Sequence, residues 1–353
     1  MLKYAASLFC LVIGCASITA VGNRDAEVFQ PVRGMLGHLH LTTDDFQSLA
    51  DRRVIVRPLS SRSSKEMAAF GIVLADASPS GFVTAYKTLA VFQNNPCITQ
   101  MGLFSATPRL ADLDSLIIDP IDIYGLSRAR LGDSDVKLSG RELARIQKLT
   151  GSRARLSLQT RALIAEEYKR ILLDRVTRYL SSGDQGMEAY VDKAEPVQPD
   201  HAFQSLVDEQ AAESGLCRDI SEYLKRYPAG LTPNSESVFY WAKQKFQDLK
   251  SIISLVHVLI HYEGTRLFIL SKQIYSSHYN EAGLSVAELI PFDDYKGQSH
   301  TVVVYTLRLE PDMMGGPLGF MKRRMAMPKM QVTLRDSLAR IRDNLESSRA
   351  GKE

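Results

Sequence analysis

Cysteine is scarce. The chain holds four in 353 residues. Cys10 and Cys15 fall in the first fifteen positions, leaving Cys97 and Cys217 for everything after. No Cys-x-x-Cys pair occurs, so neither a zinc knuckle nor a redox dithiol is encoded. The two later cysteines are compatible with one disulfide in an oxidising compartment or with two packed thiols. An excess of charge of one sign is also missing. The formal net charge is +3, and a chain that reads nucleic acid usually shows a basic excess. Local signatures of catalysis are absent too: there is no Gly-x-Ser-x-Gly elbow, phosphate loop or dinucleotide fingerprint. No internal repeat or low-complexity block stands out.

The first residues do carry a signal. Lys3 makes a positive start, and Leu8, Phe9, Leu11, Val12 and Ile13 form a short apolar core before the small residues Gly14, Ala16, Ser17, Ala20 and Gly22. That is the layout of an export signal. Val12-Ile13-Gly14-Cys15 is similar to a bacterial lipobox, in which Cys15 receives the lipid; cleavage near Ala20 or Gly22 is the other route. Both place the chain outside the cytoplasm, in the periplasm or tethered to a membrane by an N-terminal lipid.

Residues 1–22 are thus read as a signal segment and 23–51 as a polar connector with a short helix beginning at Thr43-Asp44-Asp45. Strands are expected at Val54–Leu59 and Ala68–Leu74, a helix after Ser78-Pro79, and a third strand over Ile98–Phe104. From Leu110 to about Gln247 the signals are helical, with capping-box spacing at Ser139-Gly140-Arg141-Glu142 and a long helix over Leu158–Leu180. Four strands follow, at Ile253–Tyr262, Leu267–Tyr275, Leu284–Ile290 and Thr301–Leu309. Their short connections make neighbours antiparallel. Several of these strands are apolar on both faces, which requires cover on both sides of the sheet or strong curvature. Leu334, Leu338, Ile341 and Leu345 form one stripe of a closing helix over Leu318–Leu345, with a tail at 348–353.

Strand–helix–strand, a late meander and one long final helix outline an α+β helix-grip fold, a curved antiparallel sheet wrapped around a long C-terminal helix. The chain resembles the START/polyketide-cyclase-like (SRPBCC) superfamily over about 52–109 and 238–347, with 110–237 as a large helical insertion. It is also similar to a group of exported bacterial proteins with a comparable Ser271-Lys272-Gln273-Ile274-Tyr275-Ser276-Ser277-His278-Tyr279 segment and Asp135-Val136-Lys137-Leu138. The resemblance implies an apolar cavity between sheet and helix and a hydrophobic small molecule or lipid as partner; with the near-neutral charge balance no nucleic acid is expected, and no cofactor is assigned.

Lys272, Gln273, Tyr275, His278 and Tyr279 interrupt two apolar stretches with polarity and could face a cavity; of these Lys272, Tyr275, His278 and Tyr279 are the candidate ligand-binding residues, together with Arg308 on the last strand. Met321 and Met325 would give an adaptable pocket entrance. Phe320 with Lys322, Arg323 and Arg324 would meet an anionic membrane surface. His257 and His261 lack the Glu of a helical zinc motif. On a strand their rings would stand about 13 Å apart, too far to share a metal. His38-Leu39-His40 has no third ligand nearby, so no metal site is assigned. Three functions compete. The first is a non-catalytic carrier of a greasy ligand. The second is a cyclase- or hydrolase-type enzyme using the 272–279 segment, and the third is an envelope scaffold binding through the helical insertion.

Overall fold

The computed structural model describes residues 28–150, 156–214, 218–230, 233–246, 249–294, 297–314 and 318–350. The expected export signal, Cys15 and Cys217 lie outside them. The fold is α+β, built on one curved antiparallel sheet of eight strands.

The N-terminal cover consists of α1 (Gln30–Arg33) and α2 (Thr43–Ala50). Thr42 caps α2: its hydroxyl accepts the Asp45 N–H while the Asp45 carboxylate accepts the Thr42 N–H at 2.7 Å. Two otherwise unpaired donors are thereby satisfied. Strands β1 (Ile55–Pro58) and β2 (Met67–Ala75) form a hairpin. Helix α3 (Pro79–Lys87) starts on a Ser78 cap and carries the chain across to β3 (Ile98–Leu103) at the far edge of the sheet.

The helical insertion contains α4 (Pro120–Arg128), α5 (Gly140–Thr150), α6 (Leu158–Ser182), α7 (Pro199–Ser214) and α8 (Arg218–Arg226). Five long strands then walk back across the sheet: β4 (Ser235–Gln244), β5 (Ile252–Glu263), β6 (Arg266–Ser276), β7 (Asn280–Asp293) and β8 (Ser299–Pro311). The spatial order is β1-β2-β8-β7-β6-β5-β4-β3, so the meander ends against β2 of the opening hairpin. The chain closes with α9 (Gly319–Ala350).

Both faces of the sheet are covered, as its two-sided apolar strands require. Ile164, Tyr168, Ile171, Leu172 and Val176 of α6 share a core with Trp241, Leu255, Leu259 and Leu270 on one face. The N-terminal helices extend this cover over Phe70, Ile72, Val302 and Val304. On the other face lie α3 and α9, where Leu334, Leu338 and Leu345 are buried against Val73, Val303 and Leu289. Each such leucine contributes about 1.5–3 kcal/mol by leaving water.

Helix α9 comes down close on β2 because that strand offers it small residues. Ala69, Gly71 and Ala75 alternate on the helix side, and a methyl group on Gly71 would sit 2.4 Å from Leu338 Cδ1. The last turns of α9 are tied down polarly as well. Glu346 pairs with Arg52 and accepts the Asp76 N–H, Arg342 donates to the Arg52 carbonyl at 2.6 Å, and Asn344 donates to the Gln93 carbonyl at 2.6 Å.

The structure corrects the helical reading at one place. Residues 235–244 form a strand instead of continuing the insertion. Phe239 and Trp241 face the insertion while Tyr240 and Ala242 face α9, and all four are buried. A strand buried on both sides shows no polar alternation, so its period is hidden.

Candidate functional site: an apolar cavity between sheet and final helix

Helix α9 is seated over β1 and β2, and the sheet continues beneath and beyond it. On the helix-facing side of the middle strands the side chains are short: Ala242 on β4, Ser254 on β5, Ser271 on β6, Gly283 and Ser285 on β7. They stand where core strands normally carry Leu or Ile, and the helix does not fill the space they leave. The result is a cavity of about 520 Å³. Its floor includes Val256, Tyr240, Tyr305 and Leu307, and its wall on the helix includes Met330, Leu334 and Ile341. Leu249, 37% exposed, and the exposed Thr333 stand at its rim, so the cavity opens to solvent between the β4–β5 turn and the helix. Volume and lining fall in the range of sites for small apolar ligands.

Polar groups in the cavity are uncharged, and several pair with one another, while Gln273 Oε1 is buried without a hydrogen-bond partner among the described residues. The Tyr86 hydroxyl lies 2.8 Å from Ser271 Oγ and also meets Tyr240. Ser285 pairs with the Tyr305 hydroxyl, and Gln273 Nε2 donates to Ser254 Oγ at 2.9 Å. Burial raises the pKa of Tyr86, Tyr240 and Tyr305, so all three remain protonated at neutral pH. Cys97 is a free cysteine at the β3 edge and also lines the cavity.

Of the polar 272–279 residues singled out by sequence, Gln273 and Tyr279 line this space, and the Tyr279 hydroxyl accepts the Lys250 N–H at 3.0 Å. Lys272, Tyr275, His278 and Arg308 lie against the opposite covering. Strand alternation explains Lys272: with Ser271 and Gln273 on the cavity side, the residue between them must point away. A bulge explains Tyr275. Leu255 pairs with Tyr275 and the adjacent Val256 with Gln273, leaving Ile274 as the extra residue. Both Ile274 and Tyr275 consequently enter the core shared with the insertion. Met321 and Met325 are 59% and 75% exposed and do not line the cavity. The helix residues that do begin directly after Met325, at Ala326, and continue through Met330 and Leu334 to Ile341.

The polar segment instead joins the sheet to the helical insertion. Lys272 is wholly buried and paired with Asp184, and its ammonium sits 3.6 Å from the centre of the Phe203 ring. Burial drives its pKa down to about 8, against the pull of Asp184, whose own pKa is raised by burial. The Tyr275 hydroxyl is 2.7 Å from that of Tyr168 and donates to the Lys137 carbonyl at 3.1 Å. His278 places Nδ1 2.7 Å from the Asp135 carbonyl and Nε2 3.1 Å from Asp122 Oδ1. The Asp135–Leu138 and Ser271–Tyr279 segments, far apart in sequence, therefore meet. Arg308 pairs with Glu66 and donates to Gln210 at 3.0 Å.

The two strand histidines also serve this face. His257 lies between Tyr179 and Ser237, at 3.1 and 3.0 Å, and burial with the nearby Lys272 charge lowers its pKa to about 3. His261 bonds Ser235 at 2.8 Å. Among the described residues no group of three or more His, Cys, Asp or Glu is placed to hold a metal.

Comparison with known proteins adds no assignment: no family model matches the chain, and none of the curated proteins does. Sequence reasoning points to Gln273 but not to the cavity residues Ser254, Ser271 and Ser285. The available signal was a short polar residue recurring inside strands otherwise made of Leu, Ile and Val, a pattern that leaves volume unfilled.

Proposed function

We propose that this chain is an exported, non-catalytic carrier that holds a hydrophobic, lipid-like molecule between its sheet and C-terminal helix. The observation that carries the reading is the open 520 Å³ cavity, lined mainly by apolar side chains and placed where the helix leaves the sheet uncovered. The strand order and the single long helix across one face support a helix-grip arrangement of the START-like kind, here with a second helical layer on the outer face. An enzyme built on the 272–279 segment would need at least two of Lys272, Tyr275 and His278 to converge on one point in the cavity. They are instead paired with groups of the insertion, which favours the carrier.

Transfer to a membrane is part of the proposal. The start of α9 exposes Phe320 (64%), Met321 and Met325 beside the cavity wall, and Val332 continues the apolar stripe. Lys322, Arg323, Arg324, Lys329 and Arg335 fall in the same stretch, with no acidic residue between Gly319 and Asp336. An anionic surface would meet cations and apolar side chains together. A lipid on Cys15 would hold the chain near that surface. Among the described residues no helix is long and apolar enough to cross a membrane.

The test is native mass spectrometry and solvent extraction of the mature protein from its native envelope. A co-purifying neutral or lipid-like mass is expected. Leu307→Trp, which fills the cavity from its floor, should abolish its capture without unfolding the chain. Empty wild-type protein that also takes up no lipophilic probe would refute the carrier reading.

A further inference from the structure

We infer that the cavity selects uncharged lipophiles and discriminates against ligands that would carry an ionised group into it. The inference rests on the carrier reading above and narrows the ligand class. Among the described residues lining the cavity there is no Asp, Glu, Lys, Arg or His. This is not for want of charge in the sheet, because the strands sort their ionisable side chains by face. Lys243, His257, Lys272, Glu288 and Arg308 are all buried, all in the interior of strands β4 to β8, and none borders the cavity. Four of the five are bound on the outer face: Lys243 to Asp119, His257 to Tyr179, Lys272 to Asp184 and Arg308 to Glu66. Glu288 pairs with Arg266 at 2.9 Å. The alternate positions on the cavity side are filled by Ser, Gln, Tyr and aliphatic residues.

A buried carboxylate or ammonium requires a partner of opposite charge or several donors aimed at it. The polar side chains lining it are uncharged amides and hydroxyls: four tyrosines, four serines, Thr333, Gln244, Gln273, Asn95 and Asn280, several of them bonded to one another. Such hydroxyl chains can turn to accept or donate one further hydrogen bond to a neutral alcohol, ketone or phenol. They cannot supply countercharge. Two cations near the rim are themselves engaged, Lys250 with Asp135 and Lys245 with the Leu249 carbonyl. Neutral ligands of suitable size include sterol-like alcohols, quinones and long-chain alcohols; free fatty acid anions and charged phospholipid headgroups fall outside the class.

A matched pair of probes tests this on the delipidated full chain. All-trans-retinol and retinoate share one skeleton and differ at the terminus, and both are followed by their own absorption and fluorescence. At pH 8, retinol should bind at least ten-fold more tightly than retinoate. Gln273→Lys, which places a cation on the cavity side of β6, should narrow or reverse that preference. Equal affinities, or tighter binding of retinoate, would overturn the inference from the wild-type titrations alone while leaving the carrier reading in place. A Gln273→Lys protein that folds and keeps the wild-type preference would likewise count against the cavity as the place of discrimination. Failure of retinol, retinoate and 1-hexadecanol alike to bind would overturn the carrier reading and this inference with it.

Discussion

At the scale of single residues, the buried ions describe the outer face of the sheet. Lys272 and Asp184 both have pKa values moved by burial toward their neutral forms, a sign that desolvation outweighs their attraction. Removing one partner strands the other. Lys272→Met should therefore cost about 3–5 kcal/mol in denaturant unfolding, whereas Lys272→Met combined with Asp184→Leu should recover most of the loss. A single variant as stable as wild type would show that the pair does not bridge sheet and insertion. His257 gives a pH dependence of definite sign. Its folded pKa of about 3 lies below the unfolded value near 6.5, so below that value the unfolded chain binds the extra proton. Stability tied to this histidine is fully present above pH 6.5 and is lost as pH falls from there towards 3. At 1.36 kcal/mol per pKa unit it reaches about 4–5 kcal/mol. His257→Gln should flatten the difference between unfolding free energies at pH 7 and pH 4 relative to wild type. The sequence marked Lys272, Tyr275, His278 and Arg308 as candidate ligand-binding residues, and the structure buries all four away from the cavity. The sequence did not assign their face, because a one-residue bulge at Ile274 changes which side Tyr275 occupies, and a bulge has no reliable sequence signature.

At the scale of elements, α9 has two halves with different attachments. Its second half is packed through Leu334, Leu338 and Leu345 and pinned by Glu346, Arg342 and Asn344. Its first half forms a cavity wall and exposes Phe320, Met321 and Met325. Gly71 marks the closest approach of helix and sheet. Gly71→Ala should push Leu338 aside and destabilise the fold by about 1–3 kcal/mol, and Leu338→Ala in the same chain should relieve the clash. The two substitutions would then be non-additive in chemical denaturation, and simple additivity would rule out the contact. The basic first half predicts a different measurement. Lys322→Gln with Arg324→Gln should weaken sedimentation with phosphatidylglycerol vesicles roughly thirty-fold, from about 1 kcal/mol per cation, while leaving ligand capture from detergent unchanged. Unaltered vesicle binding would place any docking surface elsewhere. Most of these elements were legible in advance: the stripe at 334, 338, 341 and 345, the Ser139–Glu142 capping box and all four late strands occur where their patterns put them. Among the described strands, β4 was the one hidden, by burial on both faces.

At the scale of the whole molecule, the sheet separates two environments. One face is a dense junction of ion pairs and tyrosines holding the helical insertion, and the other is an apolar chamber under α9 with α3 beside it. The chain reaches this division with β2 and β8 paired across more than two hundred residues of sequence. The sequence by itself determined the class of fold, the order of its elements, the stripe that binds the last helix and the need to cover the sheet twice. These follow from periodicity and burial, which are local. Only the tertiary structure decided which side each polar residue serves and where space remains. Both depend on strand register and on how far a helix held at one edge can reach across a curved sheet, and neither distance is written in any single segment of the chain.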